Sequence, residues 1–334
     1  MKPNELKRDQ RKQTDQQKLK ALQKKYAAAL QSIRELEASA SSSRKLSGTV
    51  RVEKIIPRAN KGTSEATCVW VASDWHVEEK VAGPEVNNLN RYNMRIAKQR
   101  AETFFRASLR ITKMLGRDIE IKTVVLALLG DFITNYIHDE LVEVNETQPI
   151  KAIIYAQNLI ASGIQYVLDN SDYDLLIPCH SGNHGRVSRK THFSTEPGHS
   201  LEYFMYKNLE HHFAGNARVK FLVAEGYHSY VKIYDTTLRF HHGHAMRYLG
   251  GVGGITIPVN KAIAQWNKAI PADIDVFGHW HQFFDGGNFV CNGSLIGYNA
   301  FALSIKASFE KPRQALFLID KRRGKTATFP ICFD

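Results

Sequence analysis

The sequence predicts an α/β fold in which a core of mixed sheet is flanked by helices. Three observations carry this reading. Short apolar runs rich in β-branched residues have the length of buried strands: VWVAS at 69–73, TVVLALL at 123–129, LLIPC at 175–179, VKFLVA at 219–224 and DVFG at 275–278. Amphipathic stretches of helical length separate several of them, notably 91–115 and 148–169. The second half adds alternating segments, SYVKIYD at 229–235 and TLRFHH at 237–242, which read as half-exposed hairpin strands. Strands interleaved with helices early and hairpins late give a mixed sheet rather than a purely parallel one.

Composition narrows the class. The chain has 334 residues, 43% of them hydrophobic and 23% charged, which is ordinary for a globular protein and excludes bulk disorder. No apolar run approaches the roughly 20 residues that span a bilayer. The opening MKPNELKRDQRKQTDQQ has no apolar core for a signal peptide, so the cytoplasm is the expected address. Four cysteines (Cys68, Cys179, Cys291, Cys332) lie far apart with no C-x-x-C pair. That spacing excludes the usual thiolate zinc site and argues against a disulfide scaffold.

Charge is distributed unevenly. Lys and Arg number 45 against 33 Asp and Glu, a net charge of +12 with histidine neutral. Residues 1–25 carry nine cations and three acids, so half of the surplus sits on a small part of the chain. A polyanionic partner, nucleic acid above all, fits such a surplus, because each neutralised phosphate releases condensed counterions. A solvated basic tail is the plainer use of it. Leu19, Leu22, Tyr26, Ala29, Ile33 and Leu36 repeat at alternating spacings of three and four, predicting a helix with a short a/d seam. Two uses of the seam are open: pairing with a second copy in a homodimer, or lying on the globular domain. The run Ala38-Ser39-Ala40-Ser41-Ser42-Ser43 reads as a linker, so the expected organisation is a basic helix and linker over 1–43 and a domain over 44–334.

The residues just past each strand-like run carry the chemistry. VWVAS ends in Asp74-Trp75-His76 and TVVLALL in Gly130-Asp131. LLIPC ends in His180-Ser181-Gly182-Asn183-His184-Gly185, LRFH in His242-Gly243-His244, and DVF in Gly278-His279-Trp280-His281. Strand ends of an α/β fold converge on one crevice, and glycine there lets the backbone turn and approach closely. Carboxylate, imidazole and amide oxygen without thiolate suit hard or borderline divalent cations such as Mn²⁺, Mg²⁺, Fe²⁺ or Zn²⁺. A carboxylate shared between two such cations, about 4 Å apart, is the arrangement that clamps both oxygens of a phosphoryl transfer.

The ordered set D-x-H, G-D, G-N-H, H-G, G-H-x-H resembles the calcineurin-like metallophosphoesterase superfamily, and runs from Asp74 to His281. The resemblance implies a four-layer α-β-β-α sandwich and an active two-metal hydrolase, with Mn²⁺ the expected ion. It implies that Asp74, His76 and His281 bind one metal, that Asp131 bridges both, and that Asn183 and His279 bind the other. A histidine of the HHGH segment completes the second set, His242 by the family pattern with His244 in reserve. His184 is implied as the group that protonates the leaving oxygen or steadies transition-state charge, and the nucleophile as a metal-activated hydroxide. Two departures stand out. Many members continue the second motif as G-D-x-x-D, where this chain reads Gly130-Asp131-Phe132-Ile133-Thr134-Asn135; many continue the third with an acid, where this chain has Gly185-Arg186.

Arg186, Arg189 and Lys190 come directly after the third motif and are expected to grip substrate phosphates. With the +12 charge and the basic helix, they favour a phosphodiesterase acting on nucleic acid, DNA first, akin to the superfamily's DNA-repair exonuclease branch. The alternative substrate is a small phosphate ester or a phosphoprotein. A non-catalytic nucleic-acid-binding protein on the same scaffold is a third reading, opposed by the complete set of metal-binding residue types.

Overall fold

The computed structural model describes residues 52–59, 64–247 and 254–333. The basic helix and linker expected over 1–43 lie outside these residues. In chain order the elements are β1 (Val52–Ile55), β2 (Glu65–Ala72), α1 (Met94–Leu115), β3 (Glu120–Leu128), α2 (Leu141–Val144), α3 (Pro149–Asp169), β4 (Asp174–Cys179), α4 (Leu201–His212) and β5 (Val219–Val223). They continue with β6 (Ser229–Ile233), β7 (Thr236–Phe240), α5 (Thr256–Trp266), β8 (Ile274–Phe277), β9 (Phe284–Asp285), β10 (Phe289–Cys291), α6 (Ala300–Ser304), β11 (Arg313–Asp320) and β12 (Gly324–Cys332). The strands form two six-stranded sheets, ordered β1-β6-β7-β8-β10-β9 and β12-β11-β2-β3-β4-β5. The second sheet is parallel from β2 to β5, with β11 and β12 added antiparallel. Residues 51–259 and 272–334 make one compact unit. Residues 260–271 fall in a second, in which the end of α5 closes through a turn (Asn267 N–H to Ile263 O, 2.9 Å).

Alternation along the central strands explains why they read as unbroken apolar runs. Val69 and Val71 of β2, Val125 and Ala127 of β3 and Leu129 just past it pack against Val231, Leu238, Phe240 and Val276 of the facing sheet. Their neighbours Cys68, Trp70, Val124, Leu126 and Leu128 point the other way, into a core closed by α1, α3 and α4. Both faces of the sheet are therefore dry, and no polar alternation survives in the sequence. The fold is thus two mixed sheets face to face with helices outside, as the strand and helix pattern predicts.

The helices are set by ordinary local chemistry. Asn93 caps α1, its Oδ1 accepting from Ile96 N–H at 2.9 Å, and Pro149 opens α3 at a position where a missing N–H costs nothing. The buried face of α1 repeats at helical spacing through Ala97, Ala101, Phe104, Phe105, Ser108 and Thr112. Thr112 accepts a hydrogen bond from Trp70 Nε1 at 3.0 Å, tying α1 to β2. Among the described residues, no helix is long and apolar enough to cross a membrane.

Where α1 crosses α3, Gly163 admits the ring of Phe105, and a Cβ at Gly163 would lie 2.1 Å from it. Glycine to alanine inside an exposed helix normally gains about 1 kcal/mol. Here the crossing reverses the sign. Gly163→Ala should destabilise by about 1–3 kcal/mol, as overpacked cores do, read as a lower urea midpoint at unchanged m-value.

Candidate metal centre

All five strand-end motifs meet at the carboxyl ends of the strands. The first two run side by side past their strands: Asp74 N–H donates to Gly130 O (2.9 Å), His76 N–H to Asp131 O (3.1 Å) and Val77 N–H to Phe132 O (3.0 Å). The third motif closes against the second backbone to backbone. Gly130 sits at φ +86, and a Cβ on it would fall 2.2 Å from Gly182 N; a Cβ on Gly182 would fall 2.0 Å from Asp131 Oδ1. Glycine at both positions is a steric requirement. From the facing sheet, Gly278 N–H donates to His242 O (2.9 Å), and His279 N–H to both oxygens of Asp74 (2.9 and 3.0 Å).

The backbone itself is strained at the residues that point inward. Asp74, His76, Asp131, His279 and His281 all take positive φ, between +48 and +71. Side-chain-bearing residues avoid this left-handed region at a cost on the order of 1–3 kcal/mol each. Five such residues at one site mark a place where side-chain direction outweighs backbone comfort.

Among the described residues, three groups place their ligand atoms within 4.8 Å of one another: Asp74, His76 and His281; His76, Asp131 and His184; and Asp131, His242 and His279. His76 and Asp131 are each shared, so the groups form one chain. Asn183 joins the last, its Oδ1 being 3.2 Å from His242 Nε2. His242 Nε2 also lies 3.0 Å from Asp131 Oδ2. His281 Nε2 lies 3.3 Å from both Asp74 Oδ1 and His76 Nε2.

The tautomers are set by the partners. The hydroxyl of Thr134 donates to Glu79 Oε2 (3.2 Å), so its oxygen accepts from His76 Nδ1–H (3.1 Å) and leaves His76 Nε2 with its lone pair. His242 Nδ1–H donates to Leu129 O (2.6 Å) and His184 Nδ1–H to Thr134 O (2.8 Å), so in each ring Nε2 is the atom left for the site. Facing imidazole nitrogens and carboxylate oxygens 3.0–3.3 Å apart match the ligand-to-ligand edges around a cation bound at about 2.0–2.2 Å. The donors therefore fit divalent cations: Asp74, His76, His281 and Asp131 would hold one, and Asp131, Asn183, His242 and His279 the other.

Buried polar groups hold this set in place. Glu202 of α4 lies under the meeting loops, accepting from Phe132 N–H (2.6 Å), Gly182 N–H (2.7 Å) and Asp131 N–H (3.2 Å). Glu78 takes Thr134 N–H (2.8 Å) and Asn135 N–H (2.7 Å). Asn135 Nδ2 donates to the main-chain oxygens of His184 (2.9 Å) and Arg186 (2.8 Å). Ser73 Oγ donates to Asp74 Oδ2 and accepts from Asn292 Nδ2 (2.8 Å). None of Glu78, Glu79, Glu202 or Asn292 stands out by sequence reasoning. Glu78-Glu79, just beyond Asp74-x-His76, carry a signal in their position; Glu202 and Asn292 carry none.

The remaining expected residues separate. Gly243, at φ +116, turns the chain between His242 and His244. His244 falls outside all three groups. Its ring stacks on Phe193 with centroids 5.3 Å apart, and its Nε2 lies 4.0 Å from Glu196 Oε1. Arg186 stays at the site, donating through Nη1 to Asn183 O at 2.5 Å, with its buried Nε unpartnered. Arg189 and Lys190 are exposed on the loop beyond.

Electrostatics without bound cations is dominated by one pair. Burial works against the charge on Asp131, yet His242 and His184 beside it hold its carboxyl well below the usual range. Burial would likewise strip the proton from His242, but Asp131 outweighs it and pushes His242 up to about 10. Burial, and then the neighbouring histidines, hold His76 and His279 well below the ordinary imidazole value. Burial and then Asp131 raise Glu202 to about 8 against the pull of the N–H groups it accepts from.

No protein-family model matches the chain, and no curated protein does. Solved structures similar to it include a hypothetical protein from Pyrococcus horikoshii OT3 at 13% identity, covering 80% of this chain and 89% of that one, with TM-score 0.40. Chaetomium thermophilum Vps29 is similar at 11% identity, with 79% and 97% covered and TM-score 0.33. A dimetal phosphatase from Danio rerio is similar at 9% identity, with 80% and 99% covered and TM-score 0.36. At such distances the chemistry of the site is decided by its own donors and spacings.

Two outcomes are expected. Thr134→Val leaves His76 Nδ1–H and Glu79 without the hydroxyl that joins them, and should weaken Mn²⁺ binding by about 10–100-fold in calorimetry, as lost supporting partners do. Thr134→Ser should stay near wild type; equal loss in both would reduce Thr134 to a packing residue. The second concerns pH. His242 holds its proton more tightly folded (about 10) than unfolded (about 6.5). In chelator-treated protein its contribution to stability should be complete below about pH 6.5 and fade as pH rises toward 10. Mn²⁺ affinity should rise over the same window, because that proton must leave. His242→Gln should flatten the melting-temperature profile.

Proposed function

We propose that this protein is a metal-dependent phosphoesterase that hydrolyses nucleic acid, DNA first, with two Mn²⁺ ions as its working cofactors. The observation that carries the reading is the sharing of Asp131 between adjoining groups of donors, His76 and His184 on one side and His242 and His279 on the other. When bound, a pair of divalent cations supplies Lewis-acid charge to a phosphoryl group and lowers the pKa of water toward neutrality.

The chain's own residues do the rest. Asp131 keeps its position because its Oδ1 accepts His184 N–H (2.8 Å) and its backbone rests on Glu202. His184, fixed through Nδ1, presents Nε2 as the atom that gives a proton to the leaving oxygen. Arg186 stands beside Asn183, held through Nη1 on the Asn183 carbonyl, and brings a cation to the edge of the site for a substrate phosphate. Nucleic acid as substrate is supported by the net charge of +12. A cytoplasmic address accords with this reading.

The test is an activity panel with Mn²⁺ on bis-p-nitrophenyl phosphate, p-nitrophenyl phosphate, and single-stranded and duplex DNA, together with metal analysis. Wild type should hold two Mn²⁺ and cleave the diester and DNA. His184→Ala should keep both ions and lose about a hundredfold or more in rate, and Asp131→Asn should abolish turnover. Loss of one ion in His184→Ala would make His184 a ligand. Cleavage of the monoester alone would move the substrate to a small phosphate ester or phosphoprotein. Full activity in Asp131→Asn would overturn the assignment.

A further inference from the structure

A second charged feature lies at the opposite end of the sandwich. A cleft of about 560 Å³ is lined by Lys54 of β1 with Ile55, Ile56 and Pro57 after it, Lys232 of β6, Tyr234 and Asp235 of the β6–β7 turn, and Lys321 and Arg322 of the β11–β12 turn. Its place is fixed by the strands. Lys321 N–H donates to the carbonyl of Glu65, the first residue of β2, whereas Asp74 lies just past the end of β2. At about 3.3 Å per residue the cleft and the metal centre are roughly 30 Å apart.

The cations there are placed against their own interest. β1 and β6 are parallel neighbours with Lys54 in register with Lys232, so two ammonium-bearing side chains share one face on adjacent strands. Like charges directly opposite are destabilising. Among the described residues, the side chains of Lys54, Lys232 and Arg322 make no hydrogen bond or ion pair, although the backbone N–H of Arg322 donates to Asp320 Oδ1 (2.8 Å), and Lys321 Nζ lies 4.0 Å from Glu65 Oε2. The single lining acid is Asp235. Four cations from three separate chain segments, one in-register lysine pair among them, form a concave positive surface that an anion would relieve.

We infer that this cleft binds the phosphate backbone of nucleic acid, as a sequence-independent hold distant from the metal centre. Four of the lining side chains offer charge for phosphates beside the apolar Ile55, Ile56 and Pro57, and the one aromatic, Tyr234, is buried, so the described lining residues present no platform for stacking bases. With phosphates spaced about 3.4 Å along each strand of a duplex, roughly nine base pairs would cover the distance to the metal centre. The inference does not depend on hydrolysis.

The experiment compares full-length wild type with Lys54→Ala/Lys232→Ala/Arg322→Ala, using fluorescence anisotropy on labelled duplex and single-stranded DNA of about 25 base pairs or nucleotides, long enough to span both sites, across a salt series. Three lost phosphate contacts should weaken duplex binding about tenfold or more and make the slope of log affinity against log salt shallower by roughly 2–3. Far-UV circular dichroism, Mn²⁺ content and bis-p-nitrophenyl phosphate hydrolysis should match wild type, since none of the three residues belongs to the metal centre. Absence of hydrolysis in wild type would sink the enzymatic reading and leave the cleft standing. Unchanged DNA affinity and slope in the triple variant would overturn the cleft. Unchanged DNA binding would also do so if the variant lost thermal stabilisation by tripolyphosphate or sedimentation with phosphatidylserine vesicles, which would make the ligand a small polyphosphate or a lipid surface.

Discussion

Everything at the candidate metal centre depends on two backbones touching. The loop after β3 and the loop after β4 meet at Gly130 and Gly182 with no room for a Cβ on either. That contact brings the carboxylate of Asp131 against the N–H of His184 at 2.8 Å and leaves Asp131 within reach of histidines from both sheets. Five left-handed residues surround it, at a combined cost on the order of 5–15 kcal/mol. Such a sum would unfold a marginal protein. Here the strands that feed the loops are buried on both faces, and each fully buried Val, Leu or Phe contributes about 1.5–3 kcal/mol. The doubly covered sheet makes the strained site tenable.

What is legible in the sequence is local. Runs ending just before Asp74 and Asp131, and at Cys179 and Phe277, are strands because β-branching and length alone mark them, and 91–115 and 148–169 are the helices α1 and α3 within a few residues. The antiparallel pair β11–β12 is not among the expected strands, although ALFLI at 315–319 is as apolar as the runs that are. It lies beyond the last motif, and no ligand-type residue beside a glycine marks its end. Strand β1 is four residues of mixed character, and its pairing with β6 is decided by a partner far along the chain. The same distinction divides the site. Ligand-type residues sit beside glycines at strand ends and announce themselves, whereas Glu202 matters only because α4 lays it beneath two loops some 20 and 70 residues away.

Charge is sorted by place as well as by amount. At one end of the strands, carboxylates and imidazoles are packed together, and Asp74, His76, Asp131, His184 and His242 each have a hydrogen-bonded partner that fixes direction, as cation ligands require. At the other, lysine and arginine side chains converge with a single acid among them. The net charge of +12 is therefore not a uniform coat.

The two departures from the motif pattern that the sequence resembles become intelligible together. Thr134 stands where G-D-x-x-D has its second acid; its hydroxyl accepts from His76 Nδ1–H and donates to Glu79, while its carbonyl holds His184. The carboxylate missing from position 134 is supplied by Glu79 through one intervening hydroxyl. Gly185 stands at the third motif, just after His184, where an acid is common, and a Cβ there would fall 2.8 Å from Cγ of Glu202. A side chain at 185 and Glu202 cannot occupy that space together, so the buried carboxylate comes from α4 instead. In both cases an acidic side chain is kept close to the ligands while its place in the sequence has moved, and the orientation of His76 and His184 is preserved by hydrogen bonds of 2.8–3.2 Å. Loss of a motif letter here is a change of route, with the hydrogen bonds that orient the site still made.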